Sequence, residues 1–441
     1  MKKKEKKPVY YSIILLLGLC IVMLTSCGQD DTTSSTEPLT VGQATIQGDV
    51  QSIRDDPYAR GNESTTGFYR TVPNEKDGSE IIHYVDFATG QEIALCSQLN
   101  CRHNNESCTA WIPASQARNI VVPVGNKLVL LRGGNPNFAE ILGDDSLAQV
   151  EIMNLDGTDR QVIHQFSAVE HVPGMPRGGF ARDGQNLYFM IDSVSGGPRT
   201  LYAANVETNQ VTALYEMNEE EARIVGGTNS EIILEYTPGA YDISIKGSDL
   251  ITTVIRFNPE TKEVTPLFEH SYLDAGTCVN GKYFLLQSDG MIRTYDLQTG
   301  ALLQEKSVHL SDNFEWSTRR SLGFYDGNLM VCGENNFLPE EVTEDYRPFF
   351  YYGINPETGS VNEVNWTYKD YFGENQPIKI VAETDMNLLV QSGAESMSIT
   401  LPDLEGKKYG NRTDIDQYGL ISKEDFWNGT GEITPVDNTT K

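Results

Sequence analysis

Asp296-Leu-Gln-Thr-Gly300 decides the fold, because the chain repeats it. Asp86-Phe-Ala-Thr-Gly90, Asn154-Leu-Asp-Gly157, Asn205-Val-Glu-Thr-Asn209, Asn258-Pro-Glu-Thr-Lys262, Asn355-Pro-Glu-Thr-Gly359 and Asp403-Leu-Glu-Gly406 are its copies, each set between two alternating runs. An Asp or Asn that accepts backbone N–H bonds, followed by a residue able to take a positive φ, is the chemistry of a hairpin tip. The Asx positions are 68, 51, 53, 38, 59 and 48 residues apart. Self-similarity at such spacing marks modules that bury their apolar faces against one another.

Between the turns stand short apolar runs: Lys127-Leu-Val-Leu-Leu131, Asn186-Leu-Tyr-Phe-Met190, Ile232-Ile-Leu-Glu-Tyr236, Lys282-Tyr-Phe-Leu-Leu286, Asn328-Leu-Met-Val-Cys332 and Asn387-Leu-Leu-Val-Gln391. Several follow a Gly or Asn-Gly signal, and amphipathic helical patterns are missing. Four short strands per unit describe a blade, so the chain is all-β and reads as a β-propeller of seven four-stranded blades. Residues 63–441 are too many for one ordinary core, and no linker divides them; stacked modules remove that conflict. Gln417-Tyr-Gly-Leu-Ile-Ser422 is expected to close the ring by pairing with the first blade, which would hide two sheet edges. If the Asx turns join third to fourth strands, they share one face. The long loops 132–149, 192–200, 237–252 and 333–349 then crowd the other, where binding is expected.

The N-terminus is basic (Lys2, Lys3, Lys4, Lys6, Lys7) and then apolar from Ile13 to Leu24. That stretch is short of the roughly 20 residues that span a bilayer, so it reads as an export signal rather than a membrane helix. Leu24-Thr25-Ser26-Cys27 resembles the lipobox of bacterial lipoproteins, which implies that Cys27 is S-acylated with diacylglycerol and becomes the new N-terminus. Residues 28–62 are rich in Asp, Ser, Thr and Gly without periodicity, the composition of a flexible tether. The expected organisation is therefore a signal peptide over 1–26, a lipidated cysteine and acidic tether over 27–62, and the propeller over 63–441. The protein is expected on the extracellular face of the cell membrane.

The formal net charge is −28, from 34 basic and 62 acidic residues. Removing residues 1–26 takes away five lysines and one glutamate and leaves 29 against 61. Such a balance argues against nucleic acid and other polyanions as partners. The acids are spread along the chain, which suits the solubility of an exported protein.

Of seven cysteines, three are gathered in Cys96-x4-Cys101-x-His103-x4-Cys108. Three thiolates and an imidazole can supply a tetrahedral set for a structural zinc. The spacing matches no established zinc signature, and the one-residue step from Cys101 to His103 is short for a chelate. An exported domain equally allows a disulfide such as Cys101–Cys108, with Cys278 and Cys332 as a further pair, or free thiols. No Cys-x-x-Cys-His occurs, so c-type haem is excluded. The cluster follows the last strand of blade one and is expected on the connector to blade two, on the loop-rich face.

No Gly-x-Ser-x-Gly elbow, calcium loop, phosphate loop or dinucleotide fingerprint is present, and no catalytic residue is assigned. The remaining candidates for ligand contact are aromatic and basic residues in predicted loops: Trp316 with Arg319 and Arg320, and Trp366, Tyr368, Tyr371 and Phe372. Aromatics beside polar groups can stack on sugar rings or grip peptide side chains.

The run Tyr84-Val-Asp-Phe-Ala-Thr-Gly-Gln-Glu-Ile-Ala-Leu-Cys96, continuing through Cys101-Arg-His103 to Cys108-Thr-Ala110, resembles the first blade of a widespread group of Gram-positive surface lipoproteins. The ending Leu420-Ile-Ser-Lys-Glu-Asp-Phe-Trp427 is similar to the C-terminus of the same group, and Asn154-Leu-Asp-Gly-Thr-Asp159 to the repeats of TolB-like propellers. The resemblance implies a lipid-anchored propeller. The group has no agreed activity, so no catalytic residue carries over. The leading expectation is a non-catalytic binding or sensor lipoprotein for a peptide, glycan or partner protein. The rival is a carbohydrate-active lyase or hydrolase, with an acid, an Arg and a Tyr converging at the channel mouth.

Overall fold

The computed structural model of the chain describes residues 49–53, 61–74, 77–115, 117–173, 179–194, 197–217, 222–240, 242, 244–316, 323–335 and 346–438. Cys27 and the expected export signal lie outside them, as do Arg319 and Arg320. Among the described residues no helix is long and apolar enough to cross a membrane.

The apolar runs become the second strands of antiparallel sheets, and the sheets are seven blades. Blade one is built from Gly61–Glu63, Gly67–Pro73, Glu80–Asp86 and Gln91–Ala94, blade two from Asn119–Val124, Lys127–Arg132, Gln149–Asn154 and Gln161–Gln165. Blade three uses Phe180–Arg182, Asn186–Ser193, Arg199–Asn205 and Gln210–Met217, blade four Ala222–Thr228, Glu231–Tyr236, Ile251–Phe257 and Val264–Ser271. Blade five uses Ala275–Val279, Lys282–Leu286, Met291–Asp296 and Leu302–Ser307, blade six Gly323–Tyr325, Asn328–Asn335, Phe349–Ile354 and Val361–Glu363. Blade seven uses Lys379–Glu383, Asn387–Pro402, Lys408–Ser422 and Thr434–Pro435.

The middle strands are apolar on both faces because each blade is covered by a neighbour on either side. The core accordingly divides into one apolar cluster per blade interface. Leu128, Leu130 and Met153 of blade two meet Tyr69, Ile82 and Tyr84 of blade one, and Val129, Leu131 and Val150 on the other face meet Phe180 and Phe189 of blade three. The same alternation runs through blades four, five and six. Phe68, Val85 and Phe87 of blade one pack on Val381, Leu389 and Tyr418 of blade seven, which closes the ring.

Ring closure differs from the sequence expectation. Gln417–Ser422 belongs to the third strand of blade seven and pairs with Asn387–Gly393. The segment laid along blade one is instead Asp437–Asn438, parallel to Gln91–Glu92 on its outer edge. Closure therefore rests on this short strand, on side-chain packing between the first and last blades, and on Arg70, which reaches Asp416 O across the interface.

Five Asx turns share one geometry. In the turn of blade five, Asp296 Oδ1 accepts from the backbone N–H groups of Gln298 and Thr299 and from the Thr299 hydroxyl, and the Gly300 N–H returns to the Asp296 carbonyl at 2.8 Å. The residue that closes the turn is left-handed in every copy, including Lys262 at φ 64°. The Asn154 turn is shorter and uses the Asp156 carboxylate. These six turns join third to fourth strands, as expected. Asp403-Leu-Glu-Gly406 does not, because it joins the second and third strands of blade seven and so lies on the opposite face. The strands that flank 132–149, 192–200, 237–252 and 333–349 are second and third strands in each case, and those strand ends open on that face.

Two pieces of the expected tether belong to the described residues, and both are built into the propeller. Gly61 begins the inner strand of blade one. Gln51–Ile53 pairs antiparallel with Phe180–Arg182, the inner strand of blade three, and lies against the inner strands of blades four and five, inside the central channel. Val50 is buried, and its N–H donates to Asn229 O at 2.6 Å in a turn between first and second strands. Gly227 makes room for it, since a Cβ there would stand 2.2 Å from Val50 Cγ1. The chain thus enters the channel on the Asx-turn face and runs toward the loop-rich face.

Candidate metal centre and binding face

The cysteine cluster is an excursion from the outer strand of blade one. Gln91–Ala94 pairs with His83–Val85, and Trp111–Ile112 pairs with Glu80–Ile81 on the same edge of the same partner strand. At the break, Leu95 N–H donates to Ile82 O at 2.8 Å, and Ile82 N–H donates to Ala110 O at 2.9 Å. Residues 96–109 are therefore a closed loop whose two ends meet at one residue, the geometry of an Ω-loop. The expected place, a connector to blade two on the loop-rich face, is corrected: the loop leaves at mid-strand, where the Gly157 turn of blade two sits over Leu95 and Arg160 donates to Thr109 O and Trp111 O.

Inside the loop, the ligand atoms of Cys96, Cys101, His103 and Cys108 all lie within 4.8 Å of one another. His103 Nδ1 is 3.2 Å from Cys108 Sγ. Cys101 lies below the usual thiol range, first because its sulfur accepts the His103 backbone N–H. Burial pushes the Cys108 thiol up to about 12, against a backbone N–H from Ala110. Burial also lowers the His103 imidazole, favouring its neutral form. The group could hold a metal such as zinc. Across the loop, Gln98 Nε2 donates to Ser107 O at 2.7 Å, and Asn105 caps Ser107 through its N–H and hydroxyl. All five described cysteines are unbridged. Cys278 belongs to the interface of blades four and five and Cys332 to that of blades six and seven, so that further pair is ruled out by distance around the ring.

The aromatic candidates divide by packing. Trp366 donates its indole N–H to Phe426 O at 2.9 Å, and Tyr368 accepts from Gln391 Nε2 at 3.1 Å; both pack into the interface of blades six and seven. Both are half-buried and already engaged by these bonds. Trp316 ends the strand Phe314–Trp316. Tyr371 and Phe372 stand at the tip of the small hairpin Thr367–Lys369 and Asn375–Pro377, 58% and 79% exposed. The Arg412 guanidinium lies over the Tyr371 ring, 3.0 Å from its centroid.

Arg412 comes from a feature that the sequence reading missed. The second and third strands of blade seven are 16 and 15 residues long. Their neighbours pair only as far as Gln391 and Gly419, so 393–417 projects as a free hairpin tipped by the Asp403 turn. It leans over blade one, where buried Leu401 touches Gly78. Alternation through Ser396–Pro402 and again after Lys407 was the available signal. On the same face, a cleft of about 270 Å³ between blades two and three is lined by Arg118, Gly133, Asn135, His171, Pro173 and Phe180 among others.

Two buried acid–Arg–Tyr groups also occur, and both lie between blades. Glu92 accepts both Arg70 Nε (2.6 Å) and Nη2 (2.9 Å) and faces His83 Nδ1 at 2.9 Å. Arg70 continues across the ring closure to Asp416 O at 2.7 Å and lies 4.6 Å from the Tyr418 ring centroid. Burial opposes the charge of Glu92, but His83 and Arg70 outweigh it and hold the carboxyl at about 2. Between blades four and five, Arg223 holds Glu235, which takes the Tyr283 hydroxyl proton in a hydrogen bond, with His270 Nε2 3.4 Å from the same hydroxyl. Burial again opposes ionisation, and Arg223 and His270 hold Glu235 below the usual carboxylate range.

Neither a family profile nor a curated protein sequence matches the chain. Among solved structures, TolB from Acinetobacter baumannii is similar at 15% identity and TM-score 0.30, covering 66% of this chain and 61% of that one. An oligogalacturonate lyase in complex with manganese is similar at 10% identity and TM-score 0.37, covering 83% and 85%. Protein lmo1340 from Listeria monocytogenes EGD-e is similar at 9% identity and TM-score 0.42, covering 84% and 97%. At these identities and scores the likenesses add nothing to the propeller described from its own strand order.

Proposed function

We propose that the chain is a non-catalytic binding or sensor propeller, held at the extracellular face of a bacterial cell membrane through a lipid on Cys27, and that its loop-rich face takes a peptide, glycan or partner protein. The observation that carries this reading is the exposed Tyr371, Phe372 and Arg412 platform beside the projecting hairpin. Large rings of this kind supply contact area at low entropic cost. The enzyme reading needs an acid, an Arg and a Tyr converging at an open channel mouth. Here Glu92 with Arg70 and Tyr418, and Glu235 with Arg223 and Tyr283, fill blade interfaces, and Gln51–Ile53 runs inside the channel.

The test is binding of the purified full chain to arrays of cell-surface glycans and extended peptides, with Tyr371→Ala/Phe372→Ala alongside. At least a tenfold loss of affinity in the double variant supports the platform. Unchanged binding refutes it, and cleavage of arrayed glycans returns the enzyme reading. The anchor is tested separately by metabolic labelling with an alkyne fatty acid, which Cys27→Ala should abolish.

A further inference from the structure

We infer that Cys96, Cys101, His103 and Cys108 bind one zinc ion, and that this ion locks the loop that interrupts the outer strand of blade one. The site is independent of the binding face, since it stands at mid-strand on the outer edge of the ring. Three sulfurs and one nitrogen within 4.8 Å of one another make a complete tetrahedral soft-donor set. The set is closed: four protein donors leave no position for water or substrate, so the ion is structural and not catalytic.

The loop is built for that set. Its ends are pinned to the two sides of Ile82, so the four donors are held over a fixed base. His103 Nδ1 lies 3.2 Å from Cys108 Sγ, so the imidazole and one thiol already meet inside the set. The short step from Cys101 to His103 is met by left-handed backbone at His103, φ 49°, with Asn100 left-handed as well at φ 60°. A disulfide would use two of the three sulfurs and leave a thiol and an imidazole gathered without a partner. A single ion uses all four.

The experiment uses the untagged full chain, purified in detergent without chelator under mild reductant. Elemental analysis and native mass spectrometry should give one zinc per chain. Cobalt exchange should give the absorption of a tetrahedral thiolate centre, including sulfur-to-metal charge transfer. Cys101→Ser should lose the ion or bind it at least tenfold more weakly, and His103→Asn should weaken it while keeping the charge transfer. Cys332→Ser, outside the cluster, should retain full content. Affinity in the unmodified chain is read by competition with a chromophoric chelator, so the result does not depend on any variant folding. A metal-free chain two hydrogens light, cobalt without thiolate charge transfer, or unchanged zinc in Cys101→Ser would each overturn the assignment.

Discussion

Replacing Glu92 by Gln tests how the ring is closed. Arg70 and Glu92 are both almost fully buried, 4% and 3% exposed, in the interface between the first and last blades. The folded carboxyl titrates at about 2 against an ordinary 4.5. A group whose folded pKa is depressed contributes stability above its unfolded pKa and loses it as the pH falls through the folded one. The window is therefore about pH 4.5 down to 2, and a gap of roughly 2.5 units at about 1.36 kcal/mol each gives about 3 kcal/mol. Glu92→Gln leaves the Arg70 guanidinium buried without its counter-charge, and breaking a buried pair from one side costs about 3–5 kcal/mol. Arg70→Met with Glu92→Gln together should cost less than Glu92→Gln alone. Urea midpoints at pH 7 and pH 3 are the assay. The parent chain should lose stability between them, whereas Glu92→Gln should start lower and lose less over the same interval. Equal midpoints at pH 7, or an acid limb unchanged by Glu92→Gln, would refute the role given to this pair.

Four further outcomes follow from single features. Chelation of the full chain should lower its thermal midpoint reversibly, since free zinc at a hundred times its Kd contributes about 2.7 kcal/mol, and an unchanged midpoint would sink the structural role of the ion. Lys262→Gly should raise the urea midpoint by the equivalent of about 0.5–1 kcal/mol, because a left-handed L-residue costs about 1–2 kcal/mol and glycine returns part of that as unfolded-state entropy; a lower midpoint would contradict the turn geometry. Tyr371→Ala/Phe372→Ala should change stability by no more than about 0.5 kcal/mol, as exposed side chains do, so its effect on binding reads as recognition. Gly227→Leu should expel the channel strand, seen as faster amide exchange at Gln51–Ile53 with the blade cores still protected; protection retained at those amides would mean the strand is not held there.

The propeller was legible because its signal is local and repeated. An Asx side chain bonding its own turn needs no distant partner, and six of the seven quoted turns sit where strands three and four meet. The seventh, at Asp403, has the same local chemistry and a different place, because a turn motif records a hairpin and not which hairpin. Blade seven's own third-to-fourth connection is the helix Lys423–Asn428, capped by Ser422, which accepts from the Asp425 N–H. Closure was misread for a related reason: Asp437–Asn438 is two residues long and leaves no periodicity. The metal candidates were found by residue type alone, but not their place. The return of Trp111–Ile112 to the edge that Ala94 had left is a long-range pairing that spacing cannot encode. Trp366 and Tyr368 look like Tyr371 and Phe372 in sequence, and only packing separates the half-buried pair from the exposed one.

The two faces differ in what their side chains are free to do. On the Asx-turn face, Asp86, Asn205, Asn258, Asp296 and Asn355 each direct a side-chain oxygen to backbone N–H groups of their own turn, so the polar groups there are already committed. On the opposite face lie the long loops, the cleft between blades two and three, the projecting hairpin and the exposed rings beside Arg412. The chain enters the channel from the first of these faces, at Val50 beside Asn229, and reaches Ile53 beside Phe180 toward the second. The strand is held in the channel by ladder bonds to Phe180–Arg182 on one side and by burial of Val50 on the other, so its entry takes no surface from the loop-rich face.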